Sequence, residues 1–382
     1  MSARWSLVAG LILGLAACAS PPYDHHRPFP QVETLDGSLL SPLRLVTIVP
    51  QNDAADADAF FAFSNGVGAS AWWKAAAPEY GLGTVTSAAT LMGPAITSNV
   101  TDHDVFEYVE AIVATNASIA PDGHTLYLLY LPQLVEVVHD GTPNTNCDQF
   151  GAYHVRFGTR GDNLAPVQRC TEKFPVENMT VAASHEIFEA ATDPDDHSYR
   201  LPAVAEDAPW TETVWNAWDL TGGAELADLC VGTYWREGPN VYQRVWSNVA
   251  ARRGGDPCVP ALPDPYYNTT LAEEWYAVPK GGSVDIPVTG WATGDVVWPF
   301  EPFVEGSDGP PGTVPTFTAT LPGAFDEMHA GQRVNVTVSA LPDTPSGTFT
   351  IVDLVSERPD VPMGARGLSD GAHLNYVGVY VP

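Results

Sequence analysis

The chain has 382 residues, long enough for two domains, and its 45% hydrophobic content can supply a core to each. Its 17 basic and 46 acidic side chains give a formal net charge of −29, which excludes nucleic acid as a partner and favours cations. The 34 prolines and 33 glycines place many turns between short elements.

Residues 1–17 have the form of a short signal peptide. Arg4 supplies the positive region, and the apolar run from Leu7 to Leu15 is too short to span a bilayer. Leu15-Ala16-Ala17-Cys18 resembles a bacterial lipobox, which implies cleavage before Cys18 and lipidation of that cysteine. Ala19 stands where aspartate often retains such lipoproteins at the inner membrane, so the resemblance implies the outer membrane or the cell surface. Contact with the membrane is then through the lipid anchor alone. Residues 18–41, rich in proline, histidine and polar groups, read as a tether. Besides Cys18, four cysteines remain, an even number in an exported chain. Of the three pairings they allow, Cys147–Cys170 and Cys230–Cys258 close loops of moderate length and are favoured.

Residues 42–262 read as one α/β domain. Leu43 to Val49 is a strand bounded by prolines, and Asp56 to Tyr80 carries helical segments with Phe60, Phe61, Phe63, Trp72 and Trp73. Thr101-Asp102-His103-Asp104 caps a helix through Thr115. His124 to Leu131 is a central strand, and Tyr153 to Phe157 is another.

Next comes Ser184-His185-Glu186-Ile187-Phe188-Glu189-Ala190-Ala191-Thr192-Asp193-Pro194, that is, H-E-x-x-E followed by T-D-P. On a helix, His185 and Glu189 lie one turn apart on one face, with Glu186 beside them. Asn178 is the expected N-cap, and Pro194 disfavours helix at Asp193, so the helix should stop near Thr192. Zinc-protease helices of the form H-E-x-x-H share this spacing, with two ligands and a general base. Here a carboxylate replaces the second imidazole, a donor that zinc, calcium and manganese all accept. Burying an acid–His–acid cluster on an alanine-rich helix is costly without a partner, which points to a bound metal. Glu225 and Asp228, three apart and read as one helical face, can complete the site. Asp193 and His154 are further candidates as ligands or their hydrogen-bonding partners.

Residues 265–382 change character. Ser283 to Val288, Arg333 to Val338, Thr348 to Val352 and Tyr376 to Val381 are short alternating strands between Pro/Gly turns. This is the pattern of an all-β sandwich, and it resembles the immunoglobulin-like modules appended to secreted bacterial hydrolases. Gly367-Leu368-Ser369-Asp370-Gly371 spells G-x-S-x-G but lacks the strand-to-helix context of a nucleophile elbow, so it reads as a loop.

Three blocks in order give a family resemblance: Ser184 to Pro194, Ala224-Glu225-Leu226-Ala227-Asp228-Leu229-Cys230, and Tyr242-Gln243-Arg244-Val245-Trp246-Ser247-Asn248 before a late cysteine. Residues 42–262 thereby resemble the EXORDIUM, or phosphate-induced, proteins of plants and their bacterial relatives. The helix motif implies a zincin-like α/β fold. By likeness to gluzincin proteases, it implies His185, Glu189 and Glu225 as metal ligands, Glu186 as general base, and Asp228 behind Glu225.

Two functions follow from these readings. One is a metal-dependent hydrolase, a zinc metallopeptidase acting on a peptide or protein outside the cell, with Ca2+ or Mn2+ as alternative ions. The other is a noncatalytic surface protein with a structural metal that binds cell-envelope glycan or a protein partner.

Overall fold

The computed structural model describes residues 28–133, 135–138, 151–169, 175–202, 209–211, 213–215, 224–304, 316–323, 325–358 and 372–382. Cys18, Cys147, Cys170 and the Gly367–Gly371 loop lie outside them. Among the described residues the chain is mostly β, and no helix is long and apolar enough to cross a membrane.

The two near-continuous apolar runs at the start become central strands buried on both faces, as such runs must. Leu43–Pro50 pairs in parallel with Val85–Gly93 on one side and Thr125–Tyr130 on the other. Asp162–Val167 follows in parallel, and Val155–Phe157 closes the edge antiparallel to it. Alternation divides the side chains between two cores. Leu45, Val49, Leu126, Leu128 and Tyr130 face the helices α1 (Ala57–Gly66), α2 (Ala71–Ala76) and α4 (Pro175–Thr192). Val46, Ile48, Tyr127 and Leu129 face α3 (Asp102–Thr115). The expected capping of α3 is present: Thr101 accepts from the Asp104 N–H, and Asp104 accepts from the Thr101 N–H.

Two strands of this sheet escaped the pattern. Val85–Gly93 is an edge strand of small and hydroxyl residues. Asp162–Val167 carries aspartate, asparagine and proline, residues depleted in strands. Its polar side chains serve local loops: one Asp162 oxygen accepts from the N–H groups of Asp122, Gly123 and Thr125. Asn163 donates to the Pro194 carbonyl.

The tether over 18–41 needs correction for its described part, 28–41. Phe29, Val32 and Leu40 are buried in the first core, and Glu33–Thr34 pairs with Tyr199–Arg200. Phe29 packs edge-on to Trp215 and Trp246, which outweighs the loop-like composition around it.

From Tyr267 onward the chain forms a two-sheet sandwich. Tyr267–Leu271, Ser283–Ala292, Arg333–Ala340 and Phe317–Thr320 make one sheet; Trp275–Ala277, His373–Tyr380, Phe349–Ser356, Val297–Val304 and Glu327–His329 make the other. Their inward residues, Ile286, Val288, Val336 and Val338 against Trp298, Phe300, Leu354 and Val379, form a separate core. Tyr266, Ile351 and Tyr376 leave that core for the first one and join the two domains.

Candidate metal centre

Helix α4 ends at Thr192, as the proline after Asp193 requires. It starts at Pro175 rather than after Asn178, which lies in the helix instead of capping it. Proline suits a first turn because the missing N–H has no intrahelical partner there. The helix is buried on nearly every side. Phe188 packs edge-on to Trp72, Trp73 and Tyr80, while His185 and Glu189 look away from that core. Ser184 accepts the Gln243 N–H at 2.8 Å and so fixes α4 against the strand Asn240–Gln243.

The one-turn spacing brings His185 Nε2 to 2.8 Å from Glu189 Oε2. Asp228 Oδ1 stands 3.4 Å from the same nitrogen. Separations of roughly 3 to 3.5 Å are what donors around one ion at about 2.1 Å require. The other ring nitrogen, Nδ1, lies 3.1 Å from Gln243 Oε1, while Gln243 Nε2 donates to the Ala227 carbonyl. That second bond orients the amide, so Nδ1–H donates to Gln243 and Nε2 faces the two carboxylates. Close to His185 and Glu189, Glu186 has its Oε2 3.2 Å from His154 Nδ1. His154 Nε2 lies 3.2 Å from the Asp193 carbonyl and 4.0 Å from Glu225 Oε1.

Six of the seven expected residues therefore meet. The exception is Asp193, whose carboxylate accepts from the His197 and Ser198 N–H groups and faces Arg200 at 3.7 Å. It shapes the turn after the helix, so its reading as a ligand is corrected. Two further corrections concern Glu225 and Asp228. They do not share a helix: Glu225 bridges to Arg200, and Asp228 opens a one-turn 3-10 segment, Asp228–Cys230. The Asp228 carboxylate also accepts the Glu225 N–H just before this turn, and the Asp228 N–H donates to Glu189 Oε1. As a result Asp228, rather than Glu225, stands beside His185. Cys230 is bridged to Cys258, the pairing expected from the sequence, with Cα atoms 5.8 Å apart. Gln243 is the residue that the sequence reading missed. It sat in a quoted block, but an amide carries no metal signal until its neighbours are known.

Four carboxylates and two imidazoles share this buried space. Burial opposes charge on His185, but Glu189 and Asp228 outweigh it and hold the ring well above the ordinary histidine range. Burial likewise opposes His154, and Glu186 overrides it, pushing it up to about 9. Burial raises Glu189 to about 7, with Asp228 adding to the rise and His185 offsetting part of it. Burial and the charges of Glu189 and Asp228 push Glu225 well up. Asp228 stays below its usual range despite burial because His185 stabilises its charged form. Glu225 Oε1 is buried without a hydrogen-bond partner among the described residues. An orphaned carboxylate oxygen among raised acids, with His185 Nε2 turned toward them, fits a divalent cation, which would take the place of the Nε2 proton.

No family model matches this chain, and no curated protein matches it. Among solved structures, domain 1 of VCBP3 from Branchiostoma floridae is similar at 10% identity, over 31% of this chain and 97% of its own, with a TM-score of 0.20. The ASH/PapD-like domain 7 of human CEP192 is similar at 13% identity, over 32% of this chain and 91% of its own, also with a TM-score of 0.20.

Proposed function

We propose that this protein is a metal-dependent hydrolase of the peptidase type, held outside the cell by an acylated Cys18 and akin to the EXORDIUM proteins. The observation that carries the reading is the pairing on α4: His185 Nε2 set against Glu189 and Asp228, with the acid Glu186 next in sequence. The three blocks behind the EXORDIUM resemblance also support it. Each contributes to one centre: His185 from the first, Asp228 from the second and Gln243 from the third. The zincin-like reading of the first domain and the immunoglobulin-like reading of the sandwich belong to the same proposal.

His185, Glu189 and Asp228 would hold the ion, and the imidazole among them favours zinc over calcium, which takes oxygen ligands. When bound, such an ion supplies Lewis acidity toward water and toward a carbonyl oxygen. The chain's own residues do the rest. Gln243 keeps His185 in the tautomer whose Nε2 is a donor atom. Glu186 takes a proton from water, and His154, hydrogen-bonded to it, steadies the carboxylate. Access is from the Asp228 side, where the carboxylate is 25% exposed, whereas Glu186 is 5% exposed.

The test is Glu186→Gln, which keeps the shape but removes the base. Bound metal should stay at the wild-type level while hydrolysis of a peptide library falls about two to four orders of magnitude. Equal rates in the two proteins would overturn the enzyme reading. The depth of burial of Glu186, Glu189 and Glu225 favours a second reading, a structural metal in a glycan- or protein-binding surface protein. Under that reading the wild type hydrolyses no peptide, and loss of the ligands lowers only stability.

A further inference from the structure

We propose that the centre holds two divalent cations bridged by Glu189, one set by His185, Glu189 and Asp228, the other by His154, Glu189 and Glu225. This rests on the metal-dependent reading above and extends it from one ion to two.

The first argument is geometric. Donor atoms of His154, Glu189 and Glu225 all lie within 4.8 Å of one another, and those of His185, Glu186 and Glu189 do so as well. Glu189 is common to both groups, and a carboxylate has two oxygens with which to face two ions. Each histidine has its Nδ1 held by a side-chain oxygen. His185 has Nδ1 held by the Gln243 oxygen and turns Nε2 to Glu189 and Asp228. His154 has Nδ1 held by the Glu186 oxygen, while its Nε2 lies 3.2 Å from the Asp193 carbonyl and 4.0 Å from Glu225 Oε1, so an ion there would replace the Nε2 proton that the carbonyl accepts. A ring nitrogen tied to an oxygen acceptor, with the opposite nitrogen aimed into a ring of oxygens, is how proteins orient metal-binding imidazoles.

The second argument is the orphaned oxygen. Glu225 is 8% exposed, and its buried Oε1 lies toward His154 with no hydrogen-bond partner among the described residues. One ion between His185 and Asp228 does nothing for that atom, and an ion between His154 and Glu225 satisfies it.

The test is stoichiometry on the full chain, stripped with chelator, reloaded with excess Zn2+ and desalted. Two zinc ions per chain are expected for the wild type by elemental analysis. Glu225→Gln and Asp228→Asn should each retain one, and Glu189→Gln should retain fewer than either. Saturation of the wild type at one ion overturns the second position and leaves the single-ion reading standing. No retained zinc overturns both. Two ions retained by Glu225→Gln place the second one elsewhere and overturn the assignment. Loading with Mn2+ gives a readout that needs no variant. Two adjacent ions couple magnetically, so the six-line spectrum of isolated Mn2+ should be absent at full loading, and its presence overturns the proposal.

Discussion

Gln243 shows how much a neutral residue can decide. It carries no charge and binds no metal, yet its amide links the Ala227 carbonyl to His185 and so sets which imidazole nitrogen faces Glu189. Gln243→Leu keeps the bulk and removes the acceptor. Loss of such an orienting partner typically weakens metal binding about 10- to 100-fold. A competition titration of zinc against a chromophoric chelator should show that drop, with far-UV circular dichroism unchanged. An unaltered affinity would mean that packing alone holds the ring. The site was legible from the helix side: the one-turn spacing of His185 and Glu189 survives folding because both residues ride on one rigid element. The choice between Glu225 and Asp228 was not legible, because their backbone is a turn and helical periodicity does not apply there.

At the scale of elements, the centre is built from a helix, a strand and a turn, and the turn is the weakest of the three. Asp228 sits on one 3-10 turn whose end, Cys230, is pinned to Cys258 across a sequence separation of 28. A crosslink over a loop of this length stabilises by about 3–4 kcal/mol on the chain-entropy account. The paired substitution Cys230→Ser with Cys258→Ser should lower unfolding stability in urea by an amount of that order. It should also weaken metal binding, because the turn that presents Asp228 loses its brace. Unchanged metal affinity in a folded double variant would show that Asp228 is held by the Glu225 and Glu189 hydrogen bonds alone. Helix α4 was readable from its sequence, but its start was not. Pro175 opens it three residues before the expected cap, since a proline at the entry is compatible with helix and the asparagine further in is simply tolerated.

On the scale of the molecule, the two domains meet at a buried ion cluster. Arg244 pairs with Asp256, which His373 of the sandwich approaches at 3.4 Å, and Arg244 also donates to the Pro260 carbonyl at 3.0 Å. Trp215 packs edge-on to Tyr376 beside it. Burial alone would raise Asp256; the Arg244 guanidinium and His373 outweigh it and hold the carboxyl down at about 2. A carboxyl depressed in the folded state stabilises it fully above its unfolded value, roughly 3.9, and that contribution disappears as the pH falls toward 2. The linkage is on the order of 2 kcal/mol. Asp256→Asn should therefore be less stable than wild type at pH 6 in chemical unfolding. The difference between the two should shrink between pH 4 and pH 2. A difference that stays constant over that range would remove Asp256 from the acid sensitivity of the joint.

Local pattern determined much of this protein. The strands at 43–50 and 125–130, the capped helix at 102–115, the end of α4 before Pro194 and the alternating strands of the sandwich each follow from neighbours in the chain. So does the adjacency of His185 and Glu189. Tertiary structure alone decided which distant groups complete the centre. Asp228, Gln243 and His154 come from three separate segments, and Asp193, which sits closer in sequence, turns to serve its own loop. It also decided that Asp162–Val167 is a strand and that Phe29 belongs to a core. Those outcomes depend on burial against residues far along the chain, and periodicity within a segment carries no information about them.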